Sequence, residues 1–282
     1  MLILLSTYNG ERYLPEMLDS LLEQTYQEWR LLVRDDESTD NTLAILKAFA
    51  EKHPQKVAEI ISDGQNLGPT HSFESLMTYA ARNYPNEHYF MFADQDDIWF
   101  PLKIQHAYET ITTAEKQSSD KPILVCTDLT VVDKELKVLN NSFAKFTGIR
   151  NDLLCKNQLI ACSNYVTGCT TMFNRLALTC SCHFSPYALM HDHWTALKVI
   201  ANKGVIIYLE QADILYRQHG TNALGATKQV HGKHYLIQHL SNFKQILQQN
   251  IHIYHQAHAA LGMTWLGFVA RKILYFVLRH IK

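Results

Sequence analysis

The chain has 282 residues, 47% of them hydrophobic and 19% charged, which suits one large α/β domain with an appendage and excludes a disordered or fibrous protein. The formal net charge of −1 hides a segregation: residues 1–213 carry 18 Lys/Arg against 27 Asp/Glu, whereas the last 69 residues hold eight Lys/Arg, eight of the fifteen histidines and no acid. A first part at −9 and a tail at +8 point to a polyanionic partner: phosphate, nucleic acid or an anionic membrane surface.

The six cysteines (Cys126, Cys155, Cys162, Cys169, Cys180, Cys182) fall at no zinc-ligand spacing, and the run Leu2-Ile3-Leu4-Leu5 reads as a first strand with no signal peptide expected before it. Reduced thiols in a cytoplasmic protein are the expectation.

The first half alternates short apolar runs with amphipathic segments. Residues 2–5 read as a strand, and residues 13–24 as a helix with Leu14, Met17, Leu18, Leu21 and Leu22 on one face. A strand over 29–33 leads into Arg34-Asp35-Asp36-Glu37-Ser38-Thr39-Asp40, and a helix over 42–51 follows with Asp40 as its N-cap. Strands over 58–61 and 89–93 flank a helix over 72–82. This alternation predicts a mostly parallel sheet with right-handed crossovers, whose ligands sit at the carboxyl ends of the strands. Ser6-Thr7-Tyr8-Asn9, Asp35-Asp36, Asp63 and Asp94 to Asp97 all occupy such exits.

The most informative exit is Ala93-Asp94-Gln95-Asp96-Asp97-Ile98-Trp99. Side chains alternate along an extended chain, so Asp94 and Asp96 point the same way. Three anions at the end of a buried strand repel one another, and a hard divalent cation such as Mg²⁺ or Mn²⁺ removes that cost. A solvated acidic turn is the competing reading.

The middle of the chain is less regular. Residues 123–128 read as a strand, 128–139 as a hairpin-type excursion, and 165–173 as a strand interrupted by Gly168. A short helix over 176–179, a helix over 194–202 and a strand over 204–209 follow. Residues 265–281 are apolar apart from a few basic groups, and too short and too charged to span a bilayer. Arg271, Lys272, Arg279 and Lys282 fall on one side of a helix with Leu266, Val269, Ile273, Phe276 and Val277 opposite. That pattern fits a basic amphipathic helix on an anionic membrane surface, or a helix docked on the protein's own core.

Taken in order, the strand-exit motifs resemble family-two glycosyltransferases of the GT-A fold, in particular the bacterial rhamnosyltransferase-like branch. The matching residues are Leu4-Leu5-Ser6-Thr7-Tyr8-Asn9-Gly10-Glu11-Arg12-Tyr13-Leu14, Ser20-Leu21-Leu22-Glu23-Gln24-Thr25-Tyr26, Asp35-Asp36-Glu37-Ser38-Thr39-Asp40 and Asn66-Leu67-Gly68. Further on come Ala93 to Trp99, Thr167-Gly168-Cys169-Thr170, His191-Asp192 and Tyr216-Arg217-Gln218-His219-Gly220. The resemblance covers residues 1–225 as a GT-A domain and leaves 226–282 as a basic helical extension.

The resemblance implies a nucleotide-diphosphate sugar donor. Asp36 would accept hydrogen bonds from the base, with Asp35 the competing candidate, and Ser6 and Tyr8 would contact the nucleotide. Asp96 would ligate the metal, Asp94 would touch ribose or metal-bound water, and Asp97 would stand behind them. Arg217 would approach the diphosphate and His219 would complete the metal's ligands. Gly168, which otherwise reads as a β-bulge, would form the backbone wall under the donor sugar. Asp192, which otherwise reads as an N-cap, would be the general base for the acceptor hydroxyl. Related sequences carry a second Trp where this one has His193, which bears on the acceptor.

The implied reaction is inverting transfer of a sugar, rhamnose being one candidate, to a glycan or polyprenyl-diphosphate-linked acceptor in cell-surface polysaccharide synthesis. The implied place is the inner face of the plasma membrane, with no nucleic-acid partner. Two rivals stand beside this reading. A sugar nucleotidyltransferase would need a Gly-rich basic loop after the first strand, where this chain has one Gly and one Arg. A nucleic-acid-binding module would explain the basic tail but lacks a basic motif with interleaved aromatics.

Overall fold

The computed structural model describes residues 1–154, 158–219 and 243–280. Strands β1 (Leu2–Thr7), β2 (Arg30–Asp35), β3 (Val57–Ile61) and β4 (Tyr89–Ala93) alternate with helices α1 (Leu14–Leu22), α2 (Thr42–Lys52) and α3 (Gly68–Asn83). The four strands are mutually parallel in the order β3-β2-β1-β4. The ladders Leu5↔Val33, Leu5↔Ala93 and Thr7↔Asp35 bring the ends of β1, β2 and β4 to one edge. Helix α3 begins four residues before the sequence expectation, because Gly68 takes a φ of 73° and Pro69 sits in its first turn.

The second half widens the sheet in mixed directions. It comprises β5 (Ile98–Trp99), α4 (Lys103–Gln117), β6 (Ile123–Asp133), β7 (Val138–Asn140), α5 (Phe143–Thr147), α6 (Asn151–Leu154), β8 (Met172–Asn174), α7 (Arg175–Ser181), α8 (His191–Ala201) and β9 (Val205–Gln218). Strand β8 pairs antiparallel with β4 and β6, β6 runs parallel with β9, and β5 pairs antiparallel with the far end of β9. The predicted strand through Gly168 is instead a 3-10 turn, Gly168–Thr170, followed by the short β8.

Alternation along β1 builds two cores. Leu2 and Leu4 face a layer with Phe73, Leu76 and Met77 of α3 and Trp194 and Leu197 of α8. Ile3 and Leu5 face a layer with Leu14, Met17 and Leu21 of α1 and Ile104, Ala107 and Ile111 of α4. Helices therefore cover both faces, as a parallel sheet requires.

Helices α9 (Phe243–Leu261) and α10 (Trp265–His280) join the first of these layers. Ala257, Ala260, Phe268 and Tyr275 are buried there beside Leu154, Ile160 and Trp194. The outward side of α10 is apolar: Leu266 is 80% exposed, Ile273 59% and Phe276 57%. Its basic residues lie closer to the protein, with Lys272 over the Phe268 ring and Arg271 donating to Gln158 Oε1. Lys282 lies outside the described residues. No single helix among the described residues is long and apolar enough to cross a membrane; 244–261 and 265–279 pass that test only as a pair, bent by 114°.

Candidate active site

The β1–β2 end of the sheet edge is built around a buried arginine. Arg34, wholly buried on β2, donates to the carboxylates of Asp36 and Asp63 and to the Gln65 carbonyl. Asp36 is 3% exposed and also accepts from the backbone N–H groups of Leu67 (2.9 Å) and Gly68 (2.8 Å). Asp35 is equally buried and accepts from Thr7 Oγ1, Ser38 N and Ser38 Oγ. Both acids thus hold the loops of this edge, with Asp36 fastening the start of α3. Ser6 is half-buried and shares a 2.6 Å hydrogen bond with Ser72 on α3.

Tyr8 leaves β1 with its ring exposed and its backbone gripped by Gln95. The Gln95 amide accepts from Tyr8 N and donates to Tyr8 O, both at 2.9 Å. Those bonds tie the first strand exit to the Asp94 exit. They also demand Gly10, since a Cβ there would lie 2.3 Å from Gln95 Oε1.

At the centre, Asp94, Asp97 and Cys169 bring ligand-type atoms within 4.8 Å of one another. Burial first, then the charge of Asp96, pushes the Asp94 carboxyl up to about 7, and the same causes raise Asp97. Lys103 is wholly buried over the Trp99 ring at 3.9 Å and lies in the field of Asp97 and Cys169. Burial lowers its ammonium to about 8.

Asp96 faces His219, whose Nε2 lies 2.6 Å from Asp96 Oδ2 and whose ring stacks on Tyr13. Residues 123 positions apart meet because β5 pairs with β9, Ile98 opposite Leu215 and Trp99 opposite Ile214. Arg217, on β9, is 2% exposed and braces this turn from behind. Its guanidinium donates to the Asp96 carbonyl (2.9 Å), the Lys134 carbonyl (3.0 Å) and the Glu16 carboxylate (2.6 Å), while its backbone N–H donates to Asp97.

Asp192 is the second residue of α8, which starts at His191, three residues before the 194 that the sequence pattern predicts. Its carboxylate accepts from Gly168 N (3.0 Å), Asn164 Nδ2 (3.2 Å) and its neighbour His193 N. Burial outweighs those hydrogen bonds and raises its pKa to about 6. The Gly168 turn therefore faces both ways: its N–H holds Asp192, and the next residue, Cys169, sits with Asp94 and Asp97. Gly168 has to be glycine, because a Cβ would lie 2.5 Å from His191 Nε2. That imidazole is locked in a stack on Phe73 at 3.8 Å, and burial lowers its pKa to about 3, so it is neutral.

Glycosyl transferase family 2 matches residues 2–175, well over half of the chain. The chain belongs to that family. This family-two glycosyltransferase is similar to the dTDP-rhamnosyl transferase RfbG of Shigella flexneri, 26% identical over 238 residues, covering 79% of this chain and 74% of the relative. Its fold is similar to that of S. aureus TarS 1–349 in complex with UDP-GlcNAc, with a TM-score of 0.59, 18% identity, and 99% of this chain and 76% of TarS 1–349 covered. In another TarS 1–349 structure the chain spans 60% of that chain. It is also similar to the mannosyltransferase PcManGT from Pyrobaculum calidifontis in complex with GDP-Man and Mn²⁺, with a TM-score of 0.53, 19% identity, and 98% and 74% covered. These neighbours bear out the GT-A fold, and membership of the family disfavours both the nucleotidyltransferase and the nucleic-acid-binding readings.

Sequence reasoning missed four groups of the candidate site. Gln95 lies inside the acidic motif and was legible there as the residue between two acids. Cys169 was read only as part of a backbone wall. Lys103 and Asn164 carry no spacing signal, because their placement beside the acids is a property of the folded chain alone.

Proposed function

We propose that this glycosyltransferase transfers a sugar, with inversion, from a nucleotide-diphosphate donor to a hydroxyl of a glycan or polyprenyl-diphosphate-linked acceptor. The observation that carries the reading is the Gly168-Cys169 turn, which sets a buried carboxylate of raised pKa, Asp192, beside the acidic edge formed by Asp94, Asp96 and Asp97. Tyr8, Ser6 and the Asp36 wall lie toward the β1–β2 side of that edge and would receive the nucleotide. Asp192 would take the acceptor's proton as its oxygen attacks the anomeric carbon; the bond from that carbon to the diphosphate oxygen breaks, and no covalent enzyme intermediate forms.

The oxygen-rich donor set fits Mg²⁺ or Mn²⁺. Asp96 and His219 would hold the ion, with Asp94 alongside and Asp97 and Arg217 fixing the turn. Bound there, the ion would neutralise charge on the leaving diphosphate. Similarity to a dTDP-rhamnosyl transferase makes dTDP-rhamnose the first donor to test, with UDP-sugars next. In the presence of Mn²⁺, the purified protein should release dTDP or UDP from one of these donors on addition of a polyprenyl-diphosphate-linked sugar, read by coupled nucleotide detection and product mass. Release from no donor, with acceptors of several sugar compositions, would contradict the reading.

We further place residues 1–225 as the part that handles the sugar nucleotide and 226–282 as the part that meets a lipid surface at the cytoplasmic face. The support is the apolar outer side of α10, an exposed patch of a kind that marks interaction sites, flanked by Arg271 and Arg279. Flotation with anionic phospholipid vesicles should recover the protein. The triple variant Leu266→Ser, Ile273→Ser, Phe276→Ser should stay behind, and equal flotation of both would exclude α10 as the contact.

A further inference from the structure

Helix α8 presents Asp192 in its first turn, yet its N-cap, Met190, contributes no side-chain hydrogen bond to that end. Thr70 of α3 donates to the Leu189 carbonyl at 3.0 Å, and the buried support of the turn comes from α9, more than sixty residues later. Gln256 is wholly buried, and its amide spans the turn that carries Asp192: Oε1 accepts from Leu189 N at 2.7 Å, and Nε2 lies 2.8 Å from His193 Nδ1. On its other side, His193 Nε2 lies 2.8 Å from the Ile160 carbonyl.

Every role in this chain of bonds is forced. A carbonyl only accepts, so His193 Nε2 carries the hydrogen and Nδ1 is left to accept. A backbone N–H only donates, so Gln256 Oε1 faces Leu189 and the amide NH₂ faces His193. Burial lowers the His193 pKa to about 4, so the ring is neutral, as an imidazole that both donates and accepts must be. The arrangement is fully satisfied and buried, the condition under which polar groups fix one geometry.

We propose that Gln256 and His193 form a latch through which the C-terminal helical layer positions Asp192. This rests on the reading of Asp192 as the general base. The latch grips the chain at 189 and 193, on either side of Asp192, and His193 itself contributes the N–H that Asp192 accepts. It accounts for a histidine at 193, where a tryptophan has one N–H and no acceptor to complete the chain of bonds. Helix α9 then supports the active site as well as carrying α10 and its outward face.

The test uses the full-length protein with Mn²⁺ and an active donor–acceptor pair. Gln256→Leu keeps side-chain bulk and removes both bonds. It should lower kcat about 10- to 100-fold, the scale of a small misplacement of a reacting group, while donor KM and nucleotide affinity stay within about twofold. His193→Phe should fall in the same range, and the double variant should lose no more than the worse single one, since one latch is broken once. His193→Phe also serves as the second variant if Gln256→Leu does not fold. A kcat at the parent level in either variant would overturn the proposal. So would a loss of nucleotide affinity in step with kcat, which is the mark of general destabilisation. Asp192→Asn in the same assay separates the two claims. If that variant is active, the base assignment fails and the latch with it; if it is inactive and Gln256→Leu is unimpaired, the latch alone fails.

Discussion

Replacing Asp192 by Asn should lower kcat by about 10²- to 10⁴-fold, the range general-base catalysis supplies, while UDP or dTDP binds within about twofold of the parent. Asp192 is bonded to Gly168, Asn164 and His193 and to none of Tyr8, Ser6 or Asp36, so the proposed nucleotide contacts are left intact. Equilibrium titration alongside single-turnover transfer checks both halves; an Asn variant with parental kcat would remove Asp192 from the chemistry. The parent's pH profile carries the same information. Burial raises Asp192 to about 6, and the base acts only when deprotonated. The Asp192 limb of the profile should therefore fall about tenfold per pH unit below pH 6.

The sign for stability is opposite. A carboxyl whose folded pKa stands above its ordinary 3.8 destabilises the fold once it ionises. That penalty is absent below about pH 4, develops through pH 6, and amounts to about 3 kcal/mol at neutral pH. The site thus holds the ionised Asp192 at some expense to its own stability, and the bonds from Gly168, Asn164 and His193 limit that expense. Asparagine cannot reproduce them all, because its NH₂ end would meet one of those donors.

Removing Asp96 should have the second large effect. Asp96→Ala takes away one carboxylate and leaves His219 without its 2.6 Å partner. The Mn²⁺ concentration for half-maximal activity should rise about a hundredfold or more, and that for His219→Ala by about 10- to 100-fold, the span seen when a metal-site group is lost. Activity titrated against Mn²⁺ at saturating donor is the check. An Asp96→Ala protein with the parental Mn²⁺ requirement would move the metal to another residue set, of which Asp94, Asp97 and Cys169 are the nearest at hand.

The sequence disclosed the parts of this molecule that depend on local pattern. Apolar runs ending in polar clusters located β1, β2 and β4 and brought Tyr8, Asp36 and Asp94 to one edge, because register in a parallel sheet follows from strand ends. Asp96 and His219 came together as the resemblance implied, through a two-residue strand, β5, that no periodicity could disclose. Other readings changed. The strand expected through Gly168 is a 3-10 turn, since Gly168 must pass under a stacked His191 and present its N–H to Asp192. Arg217, expected at the diphosphate, sits with its guanidinium against two carbonyls and Glu16, a burial that only the folded loops determine.

The C-terminal helix shows the limit from the other side. Both faces of α10 are rich in apolar residues, so composition alone could not choose the one that docks. The structure docks Phe268 and Tyr275 and turns Leu266, Ile273 and Phe276 outward. Likewise, Arg34, Lys103 and Gln256 look like ordinary surface residues in sequence. Each is buried, and each supports a neighbouring group that sequence reasoning had already singled out.

In the proposed site, the acidic edge with His219 holds a divalent ion and a sugar nucleotide together, which isothermal titration of the parent protein with UDP and with dTDP, each with and without Mn²⁺, checks. At least one nucleotide should bind, and at least tenfold more tightly when Mn²⁺ is present, a shift of about 1.4 kcal/mol. Failure of both nucleotides to bind with Mn²⁺ present, or equal affinity with and without the ion, would contradict it.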